Sequence, residues 1–290
     1  MTLKTLNLSV LAICLNMALC NGMAVDKNKK PTIATVIPAC DSNVKNVIFD
    51  LGEVLFTAPK SKRRAIILPM ILQYPSLIYT LCTRNIKKDL FKILSDIPAQ
   101  TSSSTMPMYN DDEQMPQIMV DWMTGRPHQE ILTTVQAHIA QLKNSTAEKA
   151  LFTKITQLMF EPNNFVEAME PIEPMVKLVK ALKANNYRLY VLSNWDHESF
   201  PLMRKKHNRI FDMFDGTLIS GTEKTGKPDI KFYKKLLRQN KIKAHESIFI
   251  DDEPHNITAA NKVGIYGIRK TSTLSVCEEL EKLGVLKLSS

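Results

Sequence analysis

A short apolar run that ends in a carboxylate places the strongest constraint on how this chain can fold. Residues 46–56 read NVIFDLGEVLF, in which three apolar residues lead directly to Asp50 and a glycine-containing turn. An uninterrupted apolar run bounded by a turn is typical of a strand buried on both faces, as in parallel α/β sheets. Ligands bind beyond the carboxyl ends of such strands. A carboxylate there is costly to bury unless it is paired or binds a cation, so Asp50 is predicted to belong to a functional site.

The second half of the chain alternates strand and helix patterns. The predicted strands are Arg188–Ser193, Gly216–Ser220, Ser247–Asp251 and Ile265–Ile268, and the predicted helices between them are Ser199–Lys206, Pro228–Gln239 and Asn256–Val263. Strands that alternate with helices of this length form a parallel, doubly wound sheet. We therefore predict an α/β fold whose core consists of residues 44–58 and 171–290.

Residues 59–170 have a different character, because helical periodicity replaces the strand patterns. Helices are predicted at Lys87–Ile97, His128–Leu142 and Ala147–Phe160, and a loop rich in Ser, Thr, Met and Pro, Gln100–Met115, divides the region. The whole region is predicted to be an α-helical cap domain inserted between the first and second strands of the core.

The N-terminus has the order of residues found in a secretory signal. A single Lys4 precedes an apolar stretch over residues 6–19, and small residues follow up to Ala24. This pattern predicts a signal peptide over residues 1–24, a leader of low order over residues 25–43, and export to a periplasm or secretion after cleavage. A retained membrane anchor is the alternative.

Net charge and cysteine content bear on three possibilities, which are nucleic-acid binding, a disulfide framework and a cysteine metal site. The formal charge is +9, but Lys and Arg are spread along the chain without the aromatic-interleaved stripe of a nucleic-acid-binding surface. No nucleic-acid partner is therefore predicted. After cleavage, Cys40, Cys82 and Cys277 would remain, and their spacing gives neither a disulfide framework nor a metal site.

One stretch of the cap region, residues 65–82, carries no charge although basic residues precede and follow it. Its 18 residues approach the length of a membrane span. Because Pro69 and Pro75 interrupt it, packing of its apolar residues within the cap is favoured. A shallow contact with a membrane surface is the alternative.

Polar residues end or follow four segments of the predicted core, and together they suit a phosphoryl group and a hard cation. They are Asp50, Ser193 with Asn194, Lys227, and Asp251 with Asp252. Mg²⁺ binds one or two carboxylates together with substrate phosphate oxygens. An ammonium and a hydroxyl would bind the phosphate itself.

These four segments resemble the four motifs of the haloacid dehalogenase-like (HAD) hydrolase superfamily. FDLGEVLF is similar to the first motif, VLSNWD to the second, GKPD to the third and FIDDEPHN to the fourth, and residues 59–170 occupy the place of that superfamily's helical cap. The resemblance implies that Asp50 is the nucleophile of a phosphatase and forms an aspartyl-phosphate.

The resemblance also implies the other site residues. Lys227 would be catalytic and would bind the substrate phosphate with Ser193 and Asn194. The cofactor would be Mg²⁺, with the following ligands: Asp50, the carbonyl of Gly52, Asp252, and Asp251 directly or through water. The implied reaction is hydrolysis of a small phosphorylated metabolite.

The sequence departs from the superfamily pattern at Gly52, where phosphatases usually carry a second Asp as general acid and base. The FDLG form is similar to a subgroup that includes sugar-phosphate phosphatases. A missing general acid would slow turnover by about 10²–10⁴-fold, unless Glu53, Asp196 or His197 replaces it. A catalytically weakened binding or membrane-associated protein is one alternative function. A C–halogen hydrolase is less favoured, because paired acidic residues call for a cation that dehalogenation does not need.

Overall fold

The computed structural model describes residues 43–98, 109–110 and 113–287. The predicted signal peptide, nearly all of the leader and most of the loop Gln100–Met115 lie outside the described residues. Within the described ranges, no helix is both long enough and apolar enough to cross a membrane.

A five-stranded parallel sheet forms the core. Its strands are β1 (Asn46–Phe49), β6 (Arg188–Ser193), β7 (Gly216–Ile219), β8 (Ser247–Asp251) and β9 (Tyr266–Arg269). Their order across the sheet is β7-β6-β1-β8-β9. From β1 the chain passes to β6 and β7 on one side, and it then crosses to β8 and β9 on the other side of β1. The topological switch point of the sheet therefore lies between β1 and β8. The carboxyl ends of these two strands carry Asp50 and Asp251.

The central strands are buried because helices cover both faces of the sheet. Val47 and Phe49 lie in one apolar cluster and Ile48 in the other, as the alternation of side chains along a strand requires. The covering helices are α8 (Glu173–Ala184), α9 (Ser199–Lys206), α10 (Asn208–Phe211), α11 (Ser220–Glu223), α12 (Ile230–Asn240), α13 (Pro254–Val263) and α14 (Thr273–Lys282), with a short 3₁₀ turn at Ala244–Glu246. The predicted doubly wound α/β fold is confirmed.

The inserted region is helical. Its helices are α1 (Lys60–Gln73), α2 (Leu77–Thr83), α3 (Ile86–Ser95), α4 (Gln117–Met123), α5 (His128–Gln141), α6 (Thr146–Phe160) and α7 (Pro162–Ala168). Two-residue strands pair as β3 (Tyr109–Asn110) with β4 (Glu113–Gln114), and as β2 (Phe56–Thr57) with β5 (Glu170–Pro171). The β2–β5 pair links the segment that leaves the core after β1 with the segment that returns to the core from the inserted region.

Two predicted helices start two residues away from where the structure places them. The helix predicted from Pro228 begins at Ile230, because the side chain of Asp229 accepts a hydrogen bond from the Lys231 amide and caps the helix. The helix predicted from Asn256 begins at Pro254, whose fixed φ suits a first turn.

The uncharged segment forms α1 and α2, and its predicted packing is correct for one face only. Ile71 and Leu77 are buried in a cluster with Leu151 of α6. Leu68 and Leu72, which the apolar pattern also assigned to packing, are exposed.

Candidate active site

Lys227 lies between two of the predicted acidic residues. Its ammonium is 2.7 Å from Oδ1 of Asp50 and 2.6 Å from Oδ2 of Asp251. All three side chains are buried. Burial alone would lower the pKa of Lys227, but Asp251 and Asp50 raise it to about 12. The lysine is therefore a permanent cation beside the predicted nucleophile.

Asp50 follows β1 directly, and its amide donates to the carbonyl of Ile250 at 3.0 Å. Burial raises the pKa of its carboxyl above the ordinary value, while the Lys227 ammonium opposes the shift. Ser193, at the end of the neighbouring β6, also lowers this pKa through a hydrogen bond to the carboxylate. The structure thus brings the predicted residues Asp50, Ser193 and Lys227 together.

Asn194 contacts the main chain of Lys227, the predicted catalytic lysine. Its Nδ2 donates to the Lys227 carbonyl at 2.9 Å, and its Oδ1 accepts from the Lys227 amide at 2.8 Å. These two hydrogen bonds with the side-chain amide of Asn194 fix the main chain of the loop that carries Lys227. The direct contact with substrate predicted for Asn194 stays a prediction, whereas its role in positioning Lys227 is evident from the geometry.

Asp251 is fully buried and its oxygens have several partners. Oδ1 accepts from the Glu253 amide at 2.8 Å, and the Asn256 side chain donates to both oxygens at 3.1 and 3.2 Å. With Lys227 on Oδ2, both oxygens of this carboxylate are occupied by protein donors. Asn256 is held in turn by the hydroxyl of Tyr233, which donates to its carbonyl at 2.9 Å.

Three carboxylates form a cluster that suits a hard cation. Asp50, Asp251 and Asp252 each offer an oxygen within 4.8 Å of the other two. Burial, with the charges of Asp50 and Asp251, raises the pKa of Asp252 to about 8 although Lys227 opposes the shift. One ammonium does not balance three carboxylates, and oxygen donors are what Mg²⁺ prefers. The residues present therefore fit a bound Mg²⁺.

The turn after the nucleophile has room for a side chain at Gly52. A Cβ built there meets no atom within 4 Å, and the backbone is not in the left-handed region. The next residue, Glu53, does have a positive φ of 50°. Its exposed carboxylate accepts from Thr57 at 2.8 Å, and the Lys270 ammonium donates to its carbonyl at 2.6 Å.

Asp196, one of the residues considered as a substitute acid, has a structural role. Its Oδ1 accepts from the amides of Glu198 at 3.0 Å and Ser199 at 2.7 Å, and its Oδ2 accepts from the Ser199 hydroxyl. Asp196 therefore orders the turn before α9. The structure gives His197 no hydrogen bond to any of the site carboxylates among the described residues.

Two residues support the site in roles that sequence reasoning did not predict. Asn256 is a partner of Asp251, and Lys270 is a partner of the turn at Glu53. Asn256 lies within the fourth motif, and an amide five residues after a buried carboxylate was the available signal. Lys270 follows β9 and contacts a segment more than two hundred residues away. Sequence spacing gave no signal for that contact.

Residues 96–269, more than half of the chain, match the model of the haloacid dehalogenase-like hydrolases. The chain belongs to this family. The family resemblance of the motifs and the prediction of an enzyme are confirmed, whereas the subgroup stays a prediction. The matched span begins after Asp50, so the assignment of Asp50 as the nucleophile stays a prediction, which is compatible with the placement of β1 between β6 and β8.

Individual HAD proteins are similar to the chain over different lengths. A sesquiterpene phosphatase, astK, from Aspergillus oryzae (strain ATCC 42149 / RIB 40) is 38% identical over 95 residues, which are 33% of this chain and 48% of that protein. The chain therefore spans about half the length of this curated relative.

Solved structures match over more of the chain and show the fold alone. The HAD family enzyme bt-2542 from Bacteroides thetaiotaomicron matches 78% of this chain and 93% of its own, with a TM-score of 0.51 and 17% identity. A predicted HAD-like family hydrolase from Porphyromonas gingivalis matches 83% and 99%, with a TM-score of 0.51 and 17% identity.

Proposed function

We propose that this HAD-family hydrolase is a Mg²⁺-dependent phosphatase that hydrolyses a phosphomonoester through an aspartyl-phosphate on Asp50. The observation that carries the proposal is the bridge of Lys227 between Asp50 and Asp251, beside the third carboxylate of Asp252. A buried ammonium next to a nucleophilic carboxylate suits a substrate that brings negative charge, because the lysine then stabilises both groups.

The metal would be held by Asp50, Asp252 and the carbonyl of Gly52. The oxygens of Asp251 already accept from Lys227, Asn256 and the Glu253 amide, which favours its acting through a water molecule. When bound, Mg²⁺ would neutralise charge on the phosphate oxygens.

The chain's own residues would bind and position the reacting groups. An oxygen of Asp50 attacks phosphorus and the bond to the alcohol oxygen breaks. With no acid at Gly52, the leaving alkoxide takes its proton from water. Water then hydrolyses the acyl-phosphate, releasing phosphate and restoring the Asp50 carboxylate. Lys227 and Ser193 would bind the phosphate oxygens throughout, and Asn194 keeps Lys227 in position.

The substrate class is a small phosphorylated metabolite. The FDLG motif suggests sugar phosphates, and the missing acid at Gly52 favours esters with good leaving groups, such as aryl phosphates. The partial identity to a sesquiterpene phosphatase adds isoprenoid phosphates. All three classes belong in the same substrate panel.

The test is a phosphatase screen of the protein with Mg²⁺ or with EDTA, comparing the wild type with Asp50→Asn. This change keeps the shape of the side chain and removes its negative charge, so we expect hydrolysis to be lost while the fold survives. Asp212→Asn, at an exposed position, is the matched control and should keep full activity. Undiminished turnover in Asp50→Asn, or in excess EDTA, would refute the proposed chemistry.

A further inference from the structure

The outer face of α1 and α2 is apolar where a helix surface is normally charged. Large apolar side chains are exposed at Leu68 (41%), Leu72 (73%) and Tyr79 (76%), and we call these three residues the outer face. Tyr266 (48%), on the core, is the one other exposed large apolar residue among those the structure describes. Solvent-facing helix surfaces are normally polar or charged. Leu68 and Leu72 lie one helical turn apart on α1 and Tyr79 lies on the next helix, so this helix pair exposes an unusual amount of apolar surface, which indicates a contact.

The polar side chains around the outer face carry no charge either. Every solvent-facing side chain described within residues 65–82 is uncharged. The following helix, α3, shows the contrast, because it exposes Lys87, Lys88 and Lys92. Other side chains of α1 and α2 are buried in the cap, because Met70, Ile71, Leu77 and Leu81 share one apolar cluster with Ala147 and Leu151 of α6. Within the part of the chain that the structure describes, the outer face is thus a second surface of this helix pair that no other element covers.

The charges that flank this surface have one sign. Residues 54–88 contain seven basic residues and no acidic residue. Four of the seven lie at Lys60, Lys62, Arg63 and Arg64, in the first turns of α1, and Lys87 and Lys88 follow α2. Two copies of the chain that met through this face would bring like charges together, which disfavours self-association.

We propose that the outer face rests on the surface of a bilayer that contains anionic lipids. An apolar patch bordered by basic residues is the pattern of a segment that lies in the membrane interface without crossing it. Tyr79, with an apolar ring and a polar hydroxyl, suits the headgroup level. The exposed Lys87 and Lys88, which follow α2, would meet anionic headgroups. The proposed membrane contact lies on the cap, whereas the proposed hydrolysis takes place in the α/β core, so the two proposals are independent.

The experiment is hydrogen–deuterium exchange on the full chain, with vesicles of phosphatidylglycerol and phosphatidylcholine or of phosphatidylcholine alone. Because exchange is read peptide by peptide, binding through the apolar N-terminal residues is separated from binding through residues 65–82. We expect protection of residues 65–82 with the anionic vesicles, and less protection at high salt because the charges are screened.

Two double variants test the two parts of the surface. Leu72→Glu with Tyr79→Glu should weaken vesicle binding by this segment at least about tenfold, and Lys87→Glu with Lys88→Glu should also weaken it. All four residues are exposed, so the fold should be kept. Tyr266→Glu is the matched control, because it replaces an exposed tyrosine elsewhere and should leave the protection unchanged.

Three outcomes would overturn the proposal. The first is the absence of protection with anionic vesicles, and the second is equal protection in the wild type and the Leu72→Glu, Tyr79→Glu variant. The third is self-association of the lipid-free protein that this variant abolishes, which would make the outer face an interface between copies. Phosphatase activity measured in parallel without vesicles tests the proposed function separately.

Discussion

The raised pKa of Asp252 makes the stability of the metal-free protein depend on pH. Burial, with the charges of Asp50 and Asp251, raises this pKa to about 8, whereas an unfolded aspartate titrates near 3.9. The folded protein therefore holds the Asp252 proton more tightly than the unfolded chain does. As the pH rises from about 4 to about 8, the unfolded chain ionises first, so the free energy of unfolding falls over this window.

The size of the effect follows from the two pKa values. While one state is ionised and the other is not, the free energy of unfolding changes by about 1.4 kcal/mol per pH unit, or about 4 kcal/mol between pH 5 and pH 8. Asp252 is only partly buried, so solvent screens some of this effect. We expect a loss of about 2–4 kcal/mol over this window.

The assay is urea denaturation in EDTA at several pH values, with the wild type compared with Asp252→Asn. Histidines and other acids titrate in the same window, but they contribute to both proteins, so the difference between the two slopes isolates the Asp252 site. Excess Mg²⁺ should flatten the slope of the wild type, because the metal keeps the carboxylate ionised in the folded state. Stabilisation by Mg²⁺ should therefore be larger at pH 8 than at pH 5.

Equal slopes for the wild type and Asp252→Asn in EDTA would show that the carboxylate does not titrate as the structure indicates. Equal stabilisation of both proteins by Mg²⁺ would place the metal elsewhere. Asp212→Asn removes an exposed carboxylate outside the cluster, and it should follow the wild type in every condition.

Two further predictions concern Gly52 and Asn194, which lie beside the predicted nucleophile and lysine. Gly52→Asp should fold, because a Cβ there meets no atom within 4 Å, and it should raise kcat/KM for esters with poor leaving groups by up to about 10²-fold relative to good ones. A series of aryl and alkyl phosphates checks this, and an unchanged dependence on leaving-group pKa would show that another acid is already competent. Asn194→Ala removes two hydrogen bonds to the Lys227 main chain, so kcat should fall at least about tenfold. Steady-state kinetics of a folded variant check this, and a change in KM alone would instead indicate direct binding of substrate by Asn194.

The location of the site was predictable because it depends on local patterns and one topological rule. The apolar runs before Asp50, Ser193 and Asp251 identify buried parallel strands, and parallel strands end at one edge of the sheet. The sequence therefore predicted that residues far apart in the chain would meet. The structure places Lys227 within 2.7 Å of Asp50 and Asp251.

The partners of these residues were not predictable, since they depend on which atoms face each other after folding. An asparagine after a strand is compatible with binding a substrate or another loop, and only the structure shows both amide atoms on the Lys227 main chain. The exposure of Leu68 and Leu72 was missed for a related reason. In an uncharged segment every face is compatible with burial, so the pattern did not show which side of α1 would pack.

The same loop that holds Lys227 also contacts the cap. Trp195, next to Asn194, packs on Phe165 of α7 with ring centroids 5.2 Å apart, and Phe165 packs on Trp122 of α4 at 5.7 Å. The hydroxyl of Ser220 adds a polar link, because it accepts from the Trp195 amide and donates to the carbonyl of Met123. Displacing α4 or α7 from the core would break contacts one residue away from the Asn194 amide that positions Lys227. A single loop, which contains Asn194 and Trp195, therefore both positions Lys227 and packs against the cap.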